Sequence, residues 1–277
     1  MNSKFEKTLE MSDEQFRRRY GFTKKTMLEM VDILHEAYAA KHKRRGRHSK
    51  LDVADMLMLA CKYWREYVTC FSLANEFGVA ESTAHDITVW VENVLIKSRK
   101  FGLPGKKLLT GEGLEVILVD VTESPVERPK YGQKRWYSGK KKHHTIKTQI
   151  VICAQTLLVI AVFVNCGSTH DFRIWKMSIG ANVVKHIKIK ADSGYQGINK
   201  LHDNSETPKK KTKKRSLTKE DKKNNRRIGS ERVLIEHVNR WLKRLRIVAE
   251  RYRNRRKRFG LRISLFCGLH NFELSQI

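Results

Sequence analysis

The apolar pattern of this chain changes once, at Glu115, and that change limits the fold more than any other feature. Before it, apolar residues recur at helical spacing. Met27, Val31, Leu34 and Tyr38 make one amphipathic stripe between Phe22 and Tyr38, and Met56, Leu57, Leu59, Ala60, Tyr63 and Trp64 make another after an Asp52 cap. The basic run Lys41 to Lys50 reads as a linker between them. After Glu115 the apolar residues come in short runs. Val116 to Val119 is a buried strand ending at Asp120, while Thr145 to Cys153 and Leu157 to Val164 are two more, expected to pair as an antiparallel meander. His170 to Met177 reads as a short helix, Ile187 to Ala191 as a further strand, and the chain beyond Ser230 returns to helical periodicity. Pro104 and Gly105 mark a boundary between Gly102 and Gly113. The expected organisation is an all-α module over residues 1–101 and an α/β domain over residues 113–277.

With 277 residues and 40% hydrophobic side chains the chain can build both cores. Its 57 Lys and Arg against 29 Asp and Glu give a net charge of +28, which calls for a polyanionic partner. No apolar run reaches 18 residues and the first residues show no signal-peptide pattern, so nucleic acid is preferred to a membrane. The expected location is cytoplasmic and nucleoid-associated, or nuclear in a eukaryote. The cysteines Cys61, Cys70, Cys153, Cys166 and Cys267 form no Cys-x-x-Cys pair, which argues against a zinc ribbon or disulfide framework and for reduced, packed thiols. Residues 203–227 hold eleven basic and four acidic residues without apolar rhythm, and read as an exposed basic loop. Such runs are often only solvated. Here it lies between two candidate catalytic acids, which favours a DNA contact.

Between Phe71 and Leu95, the residues Leu73, Ala74, Phe77, Gly78, Val79, Ala84 and Ile87 have the spacing of a helix-turn-helix. Gly78 accepts the left-handed turn, and the small Ala74 lets the helices approach. Ser82 would cap or open the second helix, leaving Ser82, Thr83 and His85 at its exposed N-terminal end to contact DNA. An ordinary helical hairpin shows the same spacing. The reading face lacks Arg and carries Glu81 and Asp86, so base readout there is an open question.

Three acids stand where phosphodiester chemistry would need them. Asp120 ends one strand, Asp192 ends another in Ala191-Asp192-Ser193-Gly194-Tyr195, and Glu236 lies on a helix with Arg232 and Lys243 on the same face. Leu234, Val238, Trp241 and Leu245 are the expected apolar stripe of that helix. Hard divalent ions prefer oxygen ligands, and a two-metal site must bridge the attacking and leaving oxygens. Each acid alone has a duller explanation, as a turn cap or a helical ion pair. Without metal, the like charges should raise at least one pKa.

Around these residues the sequence resembles the insertion-sequence transposases of the Asp-Asp-Glu superfamily, which includes the Harbinger group. The likeness spans nearly the whole chain. It is carried by Val119-Asp120-Val121-Thr122-Glu123, Arg128-Pro129-Lys130, Tyr137 to Thr145, Gly167-Ser168-Thr169-His170-Asp171, Ala191 to Gly197, and Arg232, Glu236 and Lys243, near Asn239. The related bacterial signature has Tyr three residues before the Arg, where this chain has Gly229. The resemblance implies an RNase H-like mixed five-stranded sheet flanked by helices, with a fifth strand near Ser205 to Lys211. It implies that Asp120, Asp192 and Glu236 are catalytic and hold metal, expected to be two Mg²⁺ or Mn²⁺ ions, and that Arg232 and Lys243 contact DNA. Lys140, Lys141 and Lys142 are further candidates for that contact, and the expected partner is double-stranded DNA with a homo-oligomer assembled on it. Water would attack an element-end phosphate, and the freed 3′-hydroxyl would attack target DNA without a covalent protein intermediate. Glu123 and Asp171 would act only through positioning or packing. The alternatives are a catalytically inactive, domesticated DNA-binding protein and a nuclease without strand transfer.

Overall fold

A computed structural model of the chain describes residues 4–43, 48–180, 183–211 and 216–276. They form two compact units. The first contains α1 (Lys4–Leu9), α2 (Asp13–Tyr20), α3 (Lys24–Lys41), α4 (Val53–Glu66), α5 (Cys70–Phe77) and α6 (Glu81–Lys97). The starts of α2 to α5 are set by side chains that accept otherwise orphaned backbone N–H groups: Ser12, Thr23, Asp52 and Thr69. Gly78 ends α5 in the left-handed region at φ +67°, and the chain turns directly into α6. Leu73, Ala74, Phe77, Ala84 and Ile87 are buried at that corner, and Val79 is half-buried. The N-cap of α6 is Ala80, with no side-chain bond, so Ser82 stands in the first turn rather than capping the helix.

The C terminus is divided differently from the sequence expectation. Lys243–Glu250 and Leu261–Ile277 belong to the helical unit, not to the α/β unit. Here α10 (Arg246–Ala249) buries Ile247 and Val248, and α11 (Phe259–Leu274) buries Ile263, Leu265, Phe266, Cys267 and Leu269. Phe266 packs edge-on to Trp64 at 5.5 Å and Phe272 edge-on to Phe101 at 5.3 Å. Glu273 accepts the Thr23 N–H at 2.6 Å. Helical periodicity shows that a segment has an apolar face, not which core receives it.

The second unit holds β1 (Val116–Pro125), β2 (Tyr137–Ser138), β3 (His143–Cys153), β4 (Val159–Cys166), β5 (Lys188–Ala191) and β6 (Ser205–Glu206), with α7 (Gln133–Trp136), α8 (Asp171–Ser178) and α9 (Lys219–Lys243) up to Leu242. β3 pairs antiparallel with both β1 and β4, while β1, β5 and β6 run parallel. The order β4-β3-β1-β5-β6 and these directions make an RNase H-like sheet, extended by the two-residue β2 beside β3. Ile117, Val119, Val151, Ile160, Ile189 and Ala191 form one continuous core with Trp175 and Tyr195. Among the described residues no helix is long and apolar enough to cross a membrane.

Three local expectations are corrected. β1 does not end at Asp120 but continues to Pro125, because Val121 to Pro125 keep pairing with β3 although their side chains are mostly polar. Residues 203–227 are not one basic loop: β6 lies inside them and α9 begins at Lys219, eleven residues before Ser230. Its first turns have acceptable helix formers but no apolar rhythm to reveal them. The buried stripe of α9 is Ile228, Ile235, Val238 and Leu242, whereas Leu234 and Trp241 sit at its margins and Leu245 is buried beyond the helix end. Lys213, Lys214 and Arg215 lie outside the described residues.

Candidate active site

Register places the two aspartates. Val119 of β1 is paired in parallel with Ala191 of β5, so Asp120 and Asp192 are the next residues on adjacent strands. β5 stops at that point because Asp192 turns the chain, its Oδ1 accepting the Gly194 N–H at 2.8 Å. A rigid strand therefore carries Asp120, and a tight turn at a strand end carries Asp192.

Helix α9 closes over Asp120. Arg232 Nη2 donates to Asp120 Oδ1 at 3.2 Å and Asn239 Nδ2 donates to Oδ2 at 3.0 Å. These residues are seven apart, two helical turns, so they lie on one line beside the apolar stripe. Glu236 stands between them in sequence, about 40° further round the helix from Arg232. It is exposed, and it makes no hydrogen bond or ion pair among the described residues. Among the described residues no three His, Cys, Asp or Glu side chains already converge as a metal-ligand group.

Burial raises the Asp120 carboxyl to about 6, Arg232 opposes that rise, and the charges of Asp192 and Asp171 add to it. Burial also lifts the Tyr195 phenol, whose oxygen accepts from Gln149 Nε2 at 3.0 Å, and the same three aspartates raise it further. The three aspartates thus act on one another, with Arg232 and Asn239 of α9 held against Asp120. A folded pKa of about 6 against 3.8 for the free group means the metal-free fold favours the protonated acid. Asp120 therefore costs stability as pH rises from about 4 to about 6, by about 3 kcal/mol in all. Asp120→Asn should lack this loss. Denaturation of both proteins in chelator across pH 4 to 7.5 checks it, and a wild-type minus variant difference that does not change with pH would contradict it.

Two side chains missed as functional candidates stand beside these acids. Lys147 is 9% exposed within β3, and its Nζ donates to Asp171 Oδ1 at 2.8 Å and to the Thr169 carbonyl at 2.7 Å. A lysine inside the otherwise uncharged run Thr145 to Cys153 was the available signal. Asn239 is the other, with Oδ1 buried and unpartnered among the described residues. Lys147 also lines a cavity of about 740 Å³ with Arg128, Lys134, Lys140, His144 and His170, a cationic recess in the same unit.

Of the remaining candidates only Arg232 is in contact with one of the three acids among the described residues. Lys140, Lys141 and Lys142 are exposed in the turn before β3, and Lys243 is exposed at the last residue of α9. Arg232 has only 15% of its side chain exposed and is committed to Asp120. Ser82, Thr83 and His85 are exposed on α6, with His85 Nδ1 3.2 Å from Asp86 Oδ1.

An RNase H-like sheet with aspartates on neighbouring central strands, in a chain that also has a helix-turn-helix, defines the class of nucleic-acid phosphodiester enzymes. The chain belongs to the DDE superfamily endonucleases, whose family model matches residues 119–271. The model for the helix-turn-helix of DDE superfamily endonucleases matches residues 49–101. A relative from Microchaete diplosiphon, named "Probable transposase for insertion sequence element IS702", is 44% identical over 274 residues, covering 98% of this chain and 99% of the relative. A second, from Streptomyces albus G, named "Putative transposase for insertion sequence element IS112", is 28% identical over 178 residues, 64% of each chain.

Proposed function

We propose that this chain is an insertion-sequence transposase that cleaves DNA at its element's ends and joins the freed 3′ ends to target DNA. The full-length likeness to the IS702 relative, together with the juxtaposed Asp120 and Asp192, carries this reading. The residues fit a pair of hard divalent ions: all the charged donors are carboxylates, and the unpartnered Asn239 Oδ1 adds a buried oxygen beside Asp120. Asp120, Asp192 and Glu236 would hold Mg²⁺ or Mn²⁺, with Glu236 turning inward from α9. When bound, the ions supply a nucleophile at neutral pH and stabilise charge on the leaving oxygen.

The protein's own task is to position and neutralise. Asp120 and Asp192 hold their carboxylates on rigid backbone, Asn239 of α9 steadies Asp120, and Arg232 balances its charge until the site is filled. Once displaced from Asp120, Arg232 is placed to meet a DNA phosphate. An element has two ends to join, which favours at least two copies acting together on DNA. Incubation with the element's flanking DNA and Mg²⁺ or Mn²⁺ should yield nicks at the ends, Ca²⁺ should support binding only, and full activity in excess chelator would overturn the reading.

The exposed basic residues should act on phosphates without regard to sequence. Lys140, Lys141 and Lys142 to Gln should weaken binding to every duplex alike and reduce the slope of log affinity against log salt by about three. Lys210 and Lys211 should behave the same way, while Lys209 should contribute less, since it pairs with Asp221 at 2.6 Å and holds that carboxyl down to about 2. An unchanged slope would place these lysines away from DNA. Preference for the element's ends is assigned to α6. Deleting residues 1–101 is a poor test, because α10 and α11 would lose the core they pack into. Ala at Ser82, Thr83 and His85 is the cleaner one. It should lower the preference for cognate ends over random duplex with little change in non-specific affinity, and retained preference would move the reading surface elsewhere.

A further inference from the structure

We infer that Asp171, clamped by Lys147, is a further carboxylate of the metal site and not a residue that acts through packing alone. The inference rests on reading Asp120 and Asp192 as metal ligands. Asp171 is the first residue of α8, and its two oxygens do different things. Oδ1 takes the Lys147 ammonium at 2.8 Å, and that ammonium is held in turn by the Thr169 carbonyl at 2.7 Å. Oδ2 points the other way. It lies 3.0 Å from the place a Cβ on residue 194 would occupy, and Asp192 Oδ1 lies 2.9 Å from the same place. Glycine at 194 therefore lets both carboxylates approach one point, and a Cβ there would crowd oxygens of both.

The Lys147 contact fixes the orientation of Asp171. Its ammonium is nearly buried and reaches Glu123 only at 3.9 Å, where the Glu123 carboxylate already accepts the Thr145 hydroxyl at 2.8 Å. The short contact to Asp171 is consequently the one that pins a carboxylate, leaving Oδ2 free toward Asp192. Lys147 also places one positive charge against Asp171, and so offsets part of that carboxylate's repulsion with Asp120 and Asp192 before metal enters. Asp120, Asp171 and Asp192 come from β1, the start of α8 and the end of β5, and they lie near enough for the charges of Asp171 and Asp192 to act on Asp120. Glu236, the third acid expected from the sequence, is the one that the metal-free fold leaves outside.

The test is Mn²⁺ affinity of the full chain, measured by electron paramagnetic resonance or calorimetry without DNA, beside cleavage of an element-end duplex. Asp171→Asn should raise the Mn²⁺ Kd by at least about tenfold and lower cleavage with it, while duplex affinity holds. Glu123→Gln removes the same charge from the neighbourhood of the same lysine and should change Mn²⁺ affinity by less than about threefold. If Asp171→Asn destabilises the fold by stranding the Lys147 charge, the double variant Lys147→Gln with Asp171→Asn removes both charges, and it should show the same loss of Mn²⁺. Wild-type affinity in a folded Asp171→Asn or double variant would overturn the inference, as would an equal loss in Glu123→Gln. Asp120→Asn separates the two readings. If it also keeps wild-type Mn²⁺ affinity, the metal site itself is misassigned; if it loses affinity while Asp171→Asn does not, only the role of Asp171 falls.

Discussion

Asp120→Ala is expected to lower cleavage at the element's ends by on the order of 10³-fold or more while duplex affinity stays within about threefold. Asp192→Ala and Glu236→Ala should do the same. Asp120 combines the features that make its loss decisive. It is carried by a central strand paired on both sides, and its side chain is only 19% exposed. It receives Arg232 and Asn239 from α9, which fix the direction of both its carboxylate oxygens. The substitution leaves the exposed lysines intact, and they are assigned the sequence-independent part of DNA binding. Cleavage and filter or gel binding on one preparation separate the two effects. A parallel fall in both would mean that the variant is misfolded or that Asp120 supports the DNA surface, and a Glu236→Ala protein that cuts at the wild-type rate would remove Glu236 from the site.

The second large effect is on stability and lies in the helical unit. Glu92 of α6 is fully buried and accepts from Arg262 Nε at 2.6 Å and Trp64 Nε1 at 3.1 Å, while the Arg262 side chain is 4% exposed. Removing one member of such a pair leaves the other charge in an apolar interior. Glu92→Ala should therefore destabilise this unit by about 3–5 kcal/mol. Replacing both partners, as Glu92→Leu with Arg262→Met, should recover much of the loss, because no unpaired charge is left. Denaturant unfolding of the single and double variants checks this, with two transitions allowed for because the chain has two compact units. A Glu92→Ala protein as stable as wild type would show that the pair contributes nothing. A double variant no better than the single would show that the carboxylate serves mainly through its other hydrogen bonds.

The parts of the fold that were legible in the sequence were those in which one local pattern decides the outcome. Val116 to Val119 followed by an acid, and Ile187 to Ala191 followed by an acid and a glycine, read as strands that deliver Asp120 and Asp192, and the structure has strands there, the second as Lys188–Ala191. The Asp52 cap and the Gly78 turn were equally local. What was not legible depended on partners far along the chain. The strand Ser205–Glu206 has two half-buried polar residues and exists through its pairing with β5. The start of α9 has charged residues but no apolar stripe, and nothing local tells α11 which core to enter. At the site, Asp120 and Asp192 were legible because they sit on strands. The Lys147–Asp171 contact spans 24 residues and two elements, so neither residue's neighbours reveal it. The raised carboxyl pKa expected from like charges is found at Asp120, although burial is the larger cause.

The central claim is that this chain uses Asp120, Asp192 and Glu236 with divalent metal to cut DNA and join it. It is tested most directly by giving the purified full chain a labelled element-end duplex with a free 3′-hydroxyl, an unlabelled target plasmid and Mn²⁺, then sequencing the label-bearing products. The account predicts that the 3′ end becomes joined to target DNA by the wild-type protein, and that the Asp120→Ala, Asp192→Ala and Glu236→Ala proteins bind the duplex but join none of it. Joining by all three variants at the wild-type level would contradict the account, as would wild-type protein that cuts the duplex and never joins it.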